Sequence, residues 1–300
     1  MFCEPLQRET LPSSSEPFNV FSVASTSSTN DLIPDLPMFS TEFQFHLTQL
    51  GGTPELLSEA EQTQLDEQGF LLCPGLLSLE QVRALTQRFE ELMEQEGPAA
   101  GVQFHQGAST LNRHGQEPGA RRLCNLVNKG ALFESVFLHP KLLAAAAHVL
   151  GRDFKLSSLN ARDALPGEGA QRLHADWRQP WDGSFHVFNS IWLLDGFHAQ
   201  NGCIQVVPGT QRLSPPPADL NEAELQPEPL KVEAPAGSVL MFNAHLWHGG
   251  TRNLVGTPRR VLHAYFTAWE HPQQTPQAEC LLHQTWLRLS PSARRVLDVE

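Results

Sequence analysis

The chain has few basic residues for its length. Lys and Arg together number 21 against 33 Asp and Glu, so the formal net charge is −12 over 300 residues. An acidic surface repels nucleic-acid phosphates and anionic lipid headgroups. We therefore expect neither nucleic acid nor a membrane surface among the partners of this protein.

Grouped cysteines and long apolar runs are also missing. The five cysteines are scattered without a CxxC pair, which argues against a zinc knuckle and a disulfide framework. No stretch approaches the roughly 18 apolar residues that span a bilayer, and the N-terminus lacks a signal-peptide pattern. These features favour a cytoplasmic protein. Its content of 40% hydrophobic and 18% charged residues predicts a sizeable core.

The composition changes near residue 50. Residues 1–50 are rich in Ser and Pro and show little periodicity, so we expect a flexible segment without chemistry. Its apolar stretches, Phe18 to Phe21 and Phe43 to Leu47, could still dock locally. Residues 51–300 are predicted to form one catalytic domain. We divide that domain into a helical part at 51–153, a β-rich core at 154–270 and a helical tail at 271–300.

Three helices are predicted in the first part of this domain. Ser58 and Ser78 each precede a Glu or Gln by three positions, which is the spacing of a capping box. The first of these helices should end at Gly69 and the second at Gly97. A third helix should begin at Pro140, whose missing N–H suits a first helical turn, and end at Gly151.

Short β segments dominate the chain after Phe154. Four runs rich in Val, Ile, Phe and Trp lie between Gly- and Pro-containing turns, at 185–194, 203–207, 238–242 and 261–266. This pattern is typical of an all-β barrel or a jelly roll. The Pro-rich stretch at 214–230 is expected to be a long surface loop and a candidate lid.

The tripeptide His174-Ala175-Asp176 is a candidate metal site. If it is extended, His174 and Asp176 project to the same face and can reach one cation. Two imidazoles and one carboxylate on one face of a metal are diagnostic of non-haem Fe(II) oxygenases. The second imidazole could come from His245 or from His248, and a surface coincidence is the alternative explanation of the tripeptide alone.

Arg259 lies eleven positions after His248, at the start of a predicted strand. The strand would carry its side chain into the barrel, where an unpaired charge costs several kcal/mol and requires an anion. A guanidinium matches a carboxylate with two parallel hydrogen bonds, so a dicarboxylate cosubstrate would satisfy it. A salt bridge within the chain is the alternative, and the neighbouring Arg260 could be the solvent-facing residue.

From about Gln64 to Trp269 the chain resembles the phytanoyl-CoA dioxygenase family of Fe(II)- and 2-oxoglutarate-dependent oxygenases. The resemblance rests on the order and the spacing of several motifs rather than on any one of them. They are Gln68-Gly69-Phe70-Leu71-Leu72, His139-Pro140, Leu173-His174-Ala175-Asp176-Trp177, Trp192, Asn201-Gly202-Cys203, Val207-Pro208-Gly209-Thr210, His248-Gly249-Gly250 and Arg259.

The resemblance implies a double-stranded β-helix core of the cupin-like jelly-roll type, mainly β with flanking helices. His174, Asp176 and His248 are then the iron ligands and catalytic residues, and His245 becomes a pocket or packing residue.

The cosubstrate, 2-oxoglutarate, would be bound by Arg259, with Trp192 and Asn160 lining its site. Arg121 or Arg122 could add a further positive charge. Relatives often have a serine where this chain has Gly250, so Thr251 is a candidate replacement for one hydrogen bond.

The reaction implied by the resemblance is hydroxylation of a substrate C–H bond with O₂, while 2-oxoglutarate becomes succinate and CO₂. Ascorbate could support turnover in vitro. Because Asp176 is present, we expect hydroxylation rather than halogenation.

Two other functions remain as alternatives. A cupin-like hydrolase or isomerase could use the same three ligands around Zn²⁺ or Mn²⁺, and a binding protein could retain the fold without catalysis. No strong basic cluster is available for coenzyme A, which favours a free small-molecule substrate.

Overall fold

The computed structural model of the protein describes residues 39–101 and 117–299. Within these ranges the chain forms nine strands in two antiparallel sheets, together with flanking helices. The strands are β1 (Phe70–Cys73), β2 (Ala120–Leu123), β3 (Phe154–Ala164), β4 (Val187–Leu193), β5 (Ile204–Val207), β6 (Leu230–Lys231), β7 (Val239–Asn243), β8 (Trp247–Gly250) and β9 (Arg260–Ala268).

The larger sheet has six strands in the order β1-β7-β4-β9-β3-β2. The smaller sheet has the order β6-β5-β8. The four predicted β segments after residue 184 correspond to β4, β5, β7 and β9. The connections cross between the two sheets, as expected for a jelly roll.

The helices lie before β3 and after β9. They are α1 (Thr41–Gln49), α2 (Glu59–Gln68), α3 (Leu79–Glu96), α4 (Glu134–Phe137), α5 (Pro140–Leu150), α6 (Gln277–Cys280), α7 (His283–Arg288) and α8 (Pro291–Leu297). Both predicted capping boxes are present, at Ser58 with Glu61 and at Ser78 with Gln81. The helix predicted from Pro140 to Gly151 is also present, and Gly151 ends it in the left-handed conformation.

Both faces of the larger sheet are buried, which explains why its central strands show no alternation in burial. One core packs the helices against residues such as Phe154, Phe188 and Phe266. A second core fills the space between the sheets and includes Ile191, Val206 and Phe242. A cavity opens into this second core, next to Ile191 and Phe242.

The boundary of the predicted flexible segment needs a correction. Residues 1–38 lie outside the described residues, but α1 is folded and buries Phe43 and Leu47. Phe43 packs edge-on against Phe154 with ring centroids 4.9 Å apart, and the Ser40 hydroxyl donates to Asp153 at 2.6 Å. The local docking expected for Phe43 to Leu47 is therefore present, as part of a helix. The rest of the predicted domain division remains a prediction.

No helix in the described ranges is long and apolar enough to cross a membrane.

Candidate metal centre and cosubstrate cavity

His174, Asp176 and His248 converge at the inner face of the smaller sheet. Their candidate ligand atoms all lie within 4.8 Å of one another. Nε2 of His174 and Nε2 of His248 are each 3.8 Å from Oδ1 of Asp176. Two imidazole nitrogens and one carboxylate oxygen at this spacing could hold one divalent metal ion.

Backbone pairing creates this convergence. His174 forms an isolated antiparallel bridge with His248, and Asp176 donates its backbone N–H to the carbonyl of Ala244. The tripeptide is therefore joined to β8 by a single β-bridge and does not lie in a regular strand. It runs instead as an irregular segment along the edge of β8, so the geometry comes from pairing across the chain.

Hydrogen bonds to the second ring nitrogen orient both imidazoles. Nδ1 of His174 donates to the carbonyl of Arg172 at 2.9 Å, and Nδ1 of His248 donates to that of Leu246 at 2.8 Å. Each Nε2 therefore carries no hydrogen and has a free lone pair, and this is the tautomer that binds a metal through Nε2. Nδ2 of Asn189 donates to Oδ2 of Asp176 at 3.2 Å, which leaves Oδ1 facing the histidines.

Gly249 and Gly250 lie against the backbone of the segment that leads to His174. A Cβ on Gly249 would lie 2.8 Å from the carbonyl oxygen of Gln171, and one on Gly250 would lie 2.9 Å from that of Gly169. The glycines therefore make room for the segment that leads to His174. They act on the metal site through this backbone contact.

Arg259 points into the same cavity as the three candidate ligands. It is 3% exposed, and its Nε has no hydrogen-bond partner. No ion pair of its guanidinium is found across residues 39–101 and 117–299, which argues against the alternative of an internal salt bridge. Burial, together with the smaller effect of nearby Arg162, lowers the pKa of Arg259 to about 9. An anion in the cavity would relieve this cost.

Arg260 behaves differently from its neighbour. Its guanidinium donates to Asp195 at 2.7 Å and to Glu90 at 2.9 Å, on the outer side of the sheet. Arg260 is thus a paired structural residue. This contrast leaves Arg259 as the arginine available to a ligand.

The cavity has a volume of about 230 Å³, and Asn160 is one of the residues that line it. Oδ1 of Asn160 accepts the backbone N–H of Asn125 at 3.0 Å, so its side-chain amide hydrogens remain for a ligand. Of the two upstream arginines, Arg122 lines the cavity, whereas Arg121 pairs with Glu90 and Asp163. Arg122 itself contacts Glu117 at 3.0 Å.

The assignment of Trp192 to the cosubstrate site is corrected by its position. Its side chain is fully buried on the helix side of β4, where Nε1 donates to the Ser190 hydroxyl at 2.9 Å. Ile191, one position earlier, faces the cavity. A one-residue difference along a strand moves a side chain to the opposite face.

Two further expectations concern Thr251 and His245. The Thr251 hydroxyl donates to the carbonyl of Cys203 at 2.8 Å, so it is engaged with the chain. His245 is buried beside the metal tripeptide, where its Nε2 accepts the backbone N–H of His186 at 3.0 Å and its ring stacks on Trp177. It does not join the three candidate ligands. The sequence also places His105 and His114 in a Gly-containing stretch that could cover the site, and both lie outside the described residues, so this cover stays a prediction.

Several cavity residues were not recognised from the sequence. These are Ser158, Gln171, Asn189, His263, Tyr265 and Gln274. His263 and Tyr265 follow Arg259 at every second position, so the alternation of β9 could have revealed them. Ser158 and Gln274 meet only through a tertiary contact that has no local sequence signal.

Comparison with known proteins agrees with this site. Residues 65–261 match the family model described as phytanoyl-CoA dioxygenase (PhyH). The chain therefore belongs to the phytanoyl-CoA dioxygenase family, and the family prediction is confirmed. Together with the cavity, this membership defines the protein as a dioxygenase of the jelly-roll class.

Among the relatives, Dioxygenase af480 of Aspergillus fumigatus is 26% identical over 246 residues, which is 80% of this chain and 76% of that protein. Ectoine dioxygenase of Halomonas elongata is 24% identical, with 68% of each chain covered.

Among solved structures, HygX from Streptomyces hygroscopicus with nickel and 2-oxoglutarate bound has a TM-score of 0.59 at 18% identity. The match covers 72% of this chain and 89% of HygX. The carbocyclase SnoK from nogalamycin biosynthesis has a TM-score of 0.55 at 19% identity, with 80% and 94% covered. These likenesses confirm the predicted fold class.

Proposed function

We propose that this protein is an Fe(II)- and 2-oxoglutarate-dependent dioxygenase that hydroxylates a C–H bond of a small molecule. In the balanced reaction, substrate, O₂ and 2-oxoglutarate yield hydroxylated substrate, succinate and CO₂. One oxygen atom of O₂ enters the new hydroxyl group and the other enters succinate.

The observation that carries this proposal is a buried Arg259 in the same cavity as His174, Asp176 and His248. Its guanidinium lies over the Phe197 ring, 4.5 Å from the centroid, its Nε has no hydrogen-bond partner, and it forms no ion pair within the described ranges. The three candidate ligands alone would also suit a Zn²⁺ or Mn²⁺ hydrolase or isomerase. Such an enzyme has no need of a buried cation that lacks a carboxylate partner. A dicarboxylate bound between the metal and Arg259 accounts for both features.

The residues present fit Fe(II) by their chemistry. Two neutral imidazoles and one carboxylate on one side form the donor set of non-haem iron oxygenases and leave the opposite side open. When bound, the iron supplies the activation of O₂ and the oxidation of the substrate. The chain supplies the donor atoms, and Asn189 and two backbone carbonyls hold them in place.

The remaining cavity residues bind and orient the cosubstrate. Arg259 would hold the distal carboxylate of 2-oxoglutarate, and the Asn160 amide lies within the same cavity to donate a hydrogen bond. Arg122 and Arg162 add positive charge, which Glu117 partly balances. The surrounding apolar layer limits the access of water and strengthens these charge interactions.

Compounds bound in two of the similar solved structures support the proposal. HygX has been solved with nickel, 2-oxoglutarate and hygromycin B bound. The epimerase SnoN has been solved with Fe³⁺, alpha ketoglutarate and a nogalamycin compound. Hygromycin B and the nogalamycin compound are free small molecules. This agrees with our expectation of a free substrate, because the sequence has no strong basic cluster to bind coenzyme A.

The proposal is tested by measuring succinate formation from 2-oxoglutarate with Fe(II), ascorbate and O₂. We expect succinate from the wild-type protein and none above background from Asp176→Ala. Hydrolysis or isomerisation with Zn²⁺ or Mn²⁺, without consumption of 2-oxoglutarate, would instead support the alternative metal enzyme. A protein that binds no Fe(II) under anaerobic conditions would be a non-catalytic relative.

A further inference from the structure

The cavity is ordered in three rows across strands β3, β9 and β4. Inward-facing residues of these strands pair with one another at every second position. The first row contains Arg162, Val261 and Leu193, the second Asn160, His263 and Ile191, and the third Ser158, Tyr265 and Asn189. Because two strand residues span about 7 Å, the first and third rows are about 13 Å apart.

Charge is distributed unequally along these rows. Apart from the candidate ligand Asp176, the acidic and basic residues of the cavity are Glu117, Arg122, Arg162 and Arg259. Arg162 is in the first row, Arg122 pairs with it across β2 and β3, and Glu117 contacts both. The anion-binding end of the cavity is therefore the first row.

The candidate metal centre lies toward the third row. Asn189, a third-row residue, holds Oδ2 of Asp176 at 3.2 Å. Tyr265 pairs with Asn189 across β4 and β9, and it lines the same cavity as Asp176. The Tyr265 phenol is therefore a hydrogen-bond donor on the metal side of the cavity. A cosubstrate held at the first row would reach the metal from one side and leave the third row free.

Gln274 completes this end of the cavity. It follows β9 on a segment that is fixed to β3, because Ser157 accepts the backbone N–H of Gln274 through its hydroxyl and that of Thr275 through its carbonyl. The Ser158 hydroxyl donates to Oε1 of Gln274 at 2.8 Å. Nε2 of Gln274 has no protein partner within the described ranges, and it is available at the cavity mouth as a donor.

We propose that Ser158, Tyr265 and Gln274 form the substrate subsite, and that it takes an uncharged polar group such as a polyol or a sugar ring. The proposal rests on the proposed function, which assigns the first row to the cosubstrate. The three side chains offer hydroxyl and amide groups and carry no charge themselves, and Arg178, which acts on Tyr265 electrostatically, does not line the cavity. A carboxylate or an ammonium group at the subsite would therefore lose its hydration without a charged partner among the lining side chains there. A long apolar chain would leave these polar groups without hydrogen bonds.

Two of the three subsite residues lie outside the stretch that matches the family, and Ser158 lies within it. Tyr265 and Gln274 lie after residue 261, where the family match ends. Substrate choice is expected to depend on such positions, because the ligands and the cosubstrate anchor serve the same reaction throughout a family.

The single tyrosine of the chain makes the proposal testable. Labelling with 3-fluorotyrosine gives one ¹⁹F resonance, and it comes from Tyr265. The labelled full-length protein, loaded with diamagnetic Zn²⁺ and 2-oxoglutarate, is titrated with methyl β-D-glucopyranoside as a neutral polyol. Hexanoate and hexanoyl-CoA serve as apolar and anionic comparison probes.

We expect the glucoside to shift the resonance with a millimolar Kd and the other two probes to leave it unchanged. Gln274→Leu and Ser158→Ala should each weaken glucoside binding by about fivefold to tenfold, the effect of one lost hydrogen bond. Gln200→Leu, an exposed position on the connection between the sheets, is the matched control and should bind the glucoside as the wild type does.

Three results would overturn the subsite. They are no shift with the glucoside, tighter binding of hexanoate or hexanoyl-CoA, and glucoside binding that is insensitive to both substitutions. The affinity for 2-oxoglutarate, measured on the same samples, separates these results from failure of the proposed function. A wild-type protein that binds the glucoside but not 2-oxoglutarate would refute the oxygenase assignment instead.

Discussion

The backbones of His174 and His248 are hydrogen bonded directly to each other. The N–H of His174 donates to the carbonyl of His248 at 2.8 Å, and the reverse bond is 2.9 Å long. Their rings lie with centroids 4.4 Å apart. Two candidate ligands that are distant in sequence are therefore positioned by the main chain, so their side chains can be replaced without removing the contact that holds the segment.

Replacing His248 with Ala should abolish Fe(II) binding while the fold is retained. Loss of one ligand out of three is expected to weaken binding by more than about 100-fold, beyond the usual effect of an outer hydrogen-bonding partner. His245→Ala should keep measurable binding, because His245 contacts His186 and Trp177 rather than the three ligands. Anaerobic equilibrium dialysis measures both affinities, and the reverse pattern would make His245 the ligand.

Arg259→Met should separate stability from cosubstrate binding. With metal present, 2-oxoglutarate at 100 times its Kd should raise the Tm of the wild type by about 5 °C or more. The variant should gain nothing from 2-oxoglutarate, yet without it should be at least as stable as the wild type, because an unpaired buried charge has been removed.

Arg260→Met is the matched control for that experiment. It removes ion pairs with Asp195 and Glu90, so it should lower the Tm. Its response to 2-oxoglutarate should match that of the wild type. Differential scanning fluorimetry records all three proteins, and equal 2-oxoglutarate responses in the two variants would contradict the role of Arg259.

His245 should make the stability of the protein depend on pH. Burial lowers its pKa from 6.5 to about 3, so the folded imidazole stays neutral while the unfolded one is protonated. Between these values the unfolded state binds more protons, and stability falls as the pH falls, by at most about 1.4 kcal/mol per pH unit.

Urea unfolding from about pH 7 to about pH 5 measures this dependence. His245→Gln keeps an acceptor for the His186 N–H but cannot titrate, so its stability should fall less with acidification. His198→Gln, at an exposed position, should follow the wild type. An unchanged slope in His245→Gln would show that His245 is not the responsible group.

Gly249→Ala should disturb the metal centre without touching a ligand. The added Cβ would meet the carbonyl of Gln171 at 2.8 Å and displace the segment that leads to His174. We expect a loss of about 1–3 kcal/mol in unfolding free energy and weaker Fe(II) binding. Gly256→Ala, where no atom lies within 4 Å of the added Cβ, should be neutral in both measurements.

The local rules predicted the capped helices, because capping boxes and glycine C-caps are short-range signals. Ser58 with Glu61, Ser78 with Gln81 and Gly151 are examples. The β-rich runs predicted four of the nine strands in the described ranges, β4, β5, β7 and β9. At α1 the apolar side chains indicated local docking, whereas the Ser- and Pro-rich composition did not indicate a helix.

The sequence indicated the three candidate metal ligands and Arg259, but it did not determine which neighbouring side chains face the cavity. Trp192 and Ile191 differ by one position, and without a fixed strand register the sequence could not decide which faces the cavity. The subsite residues Ser158 and Gln274 meet only because Ser157 fixes the segment after β9. A contact between residues this far apart in the sequence leaves no local pattern from which it could be predicted.

The central claim is tested most directly by the isotopic content of succinate formed under ¹⁸O₂. The reaction is run with Fe(II), ascorbate and 2-oxoglutarate, and the succinate is analysed by mass spectrometry. The account predicts one ¹⁸O atom in the succinate made by the wild type and no succinate above background from Asp176→Ala. Unlabelled succinate, or equal formation by the variant, would contradict it.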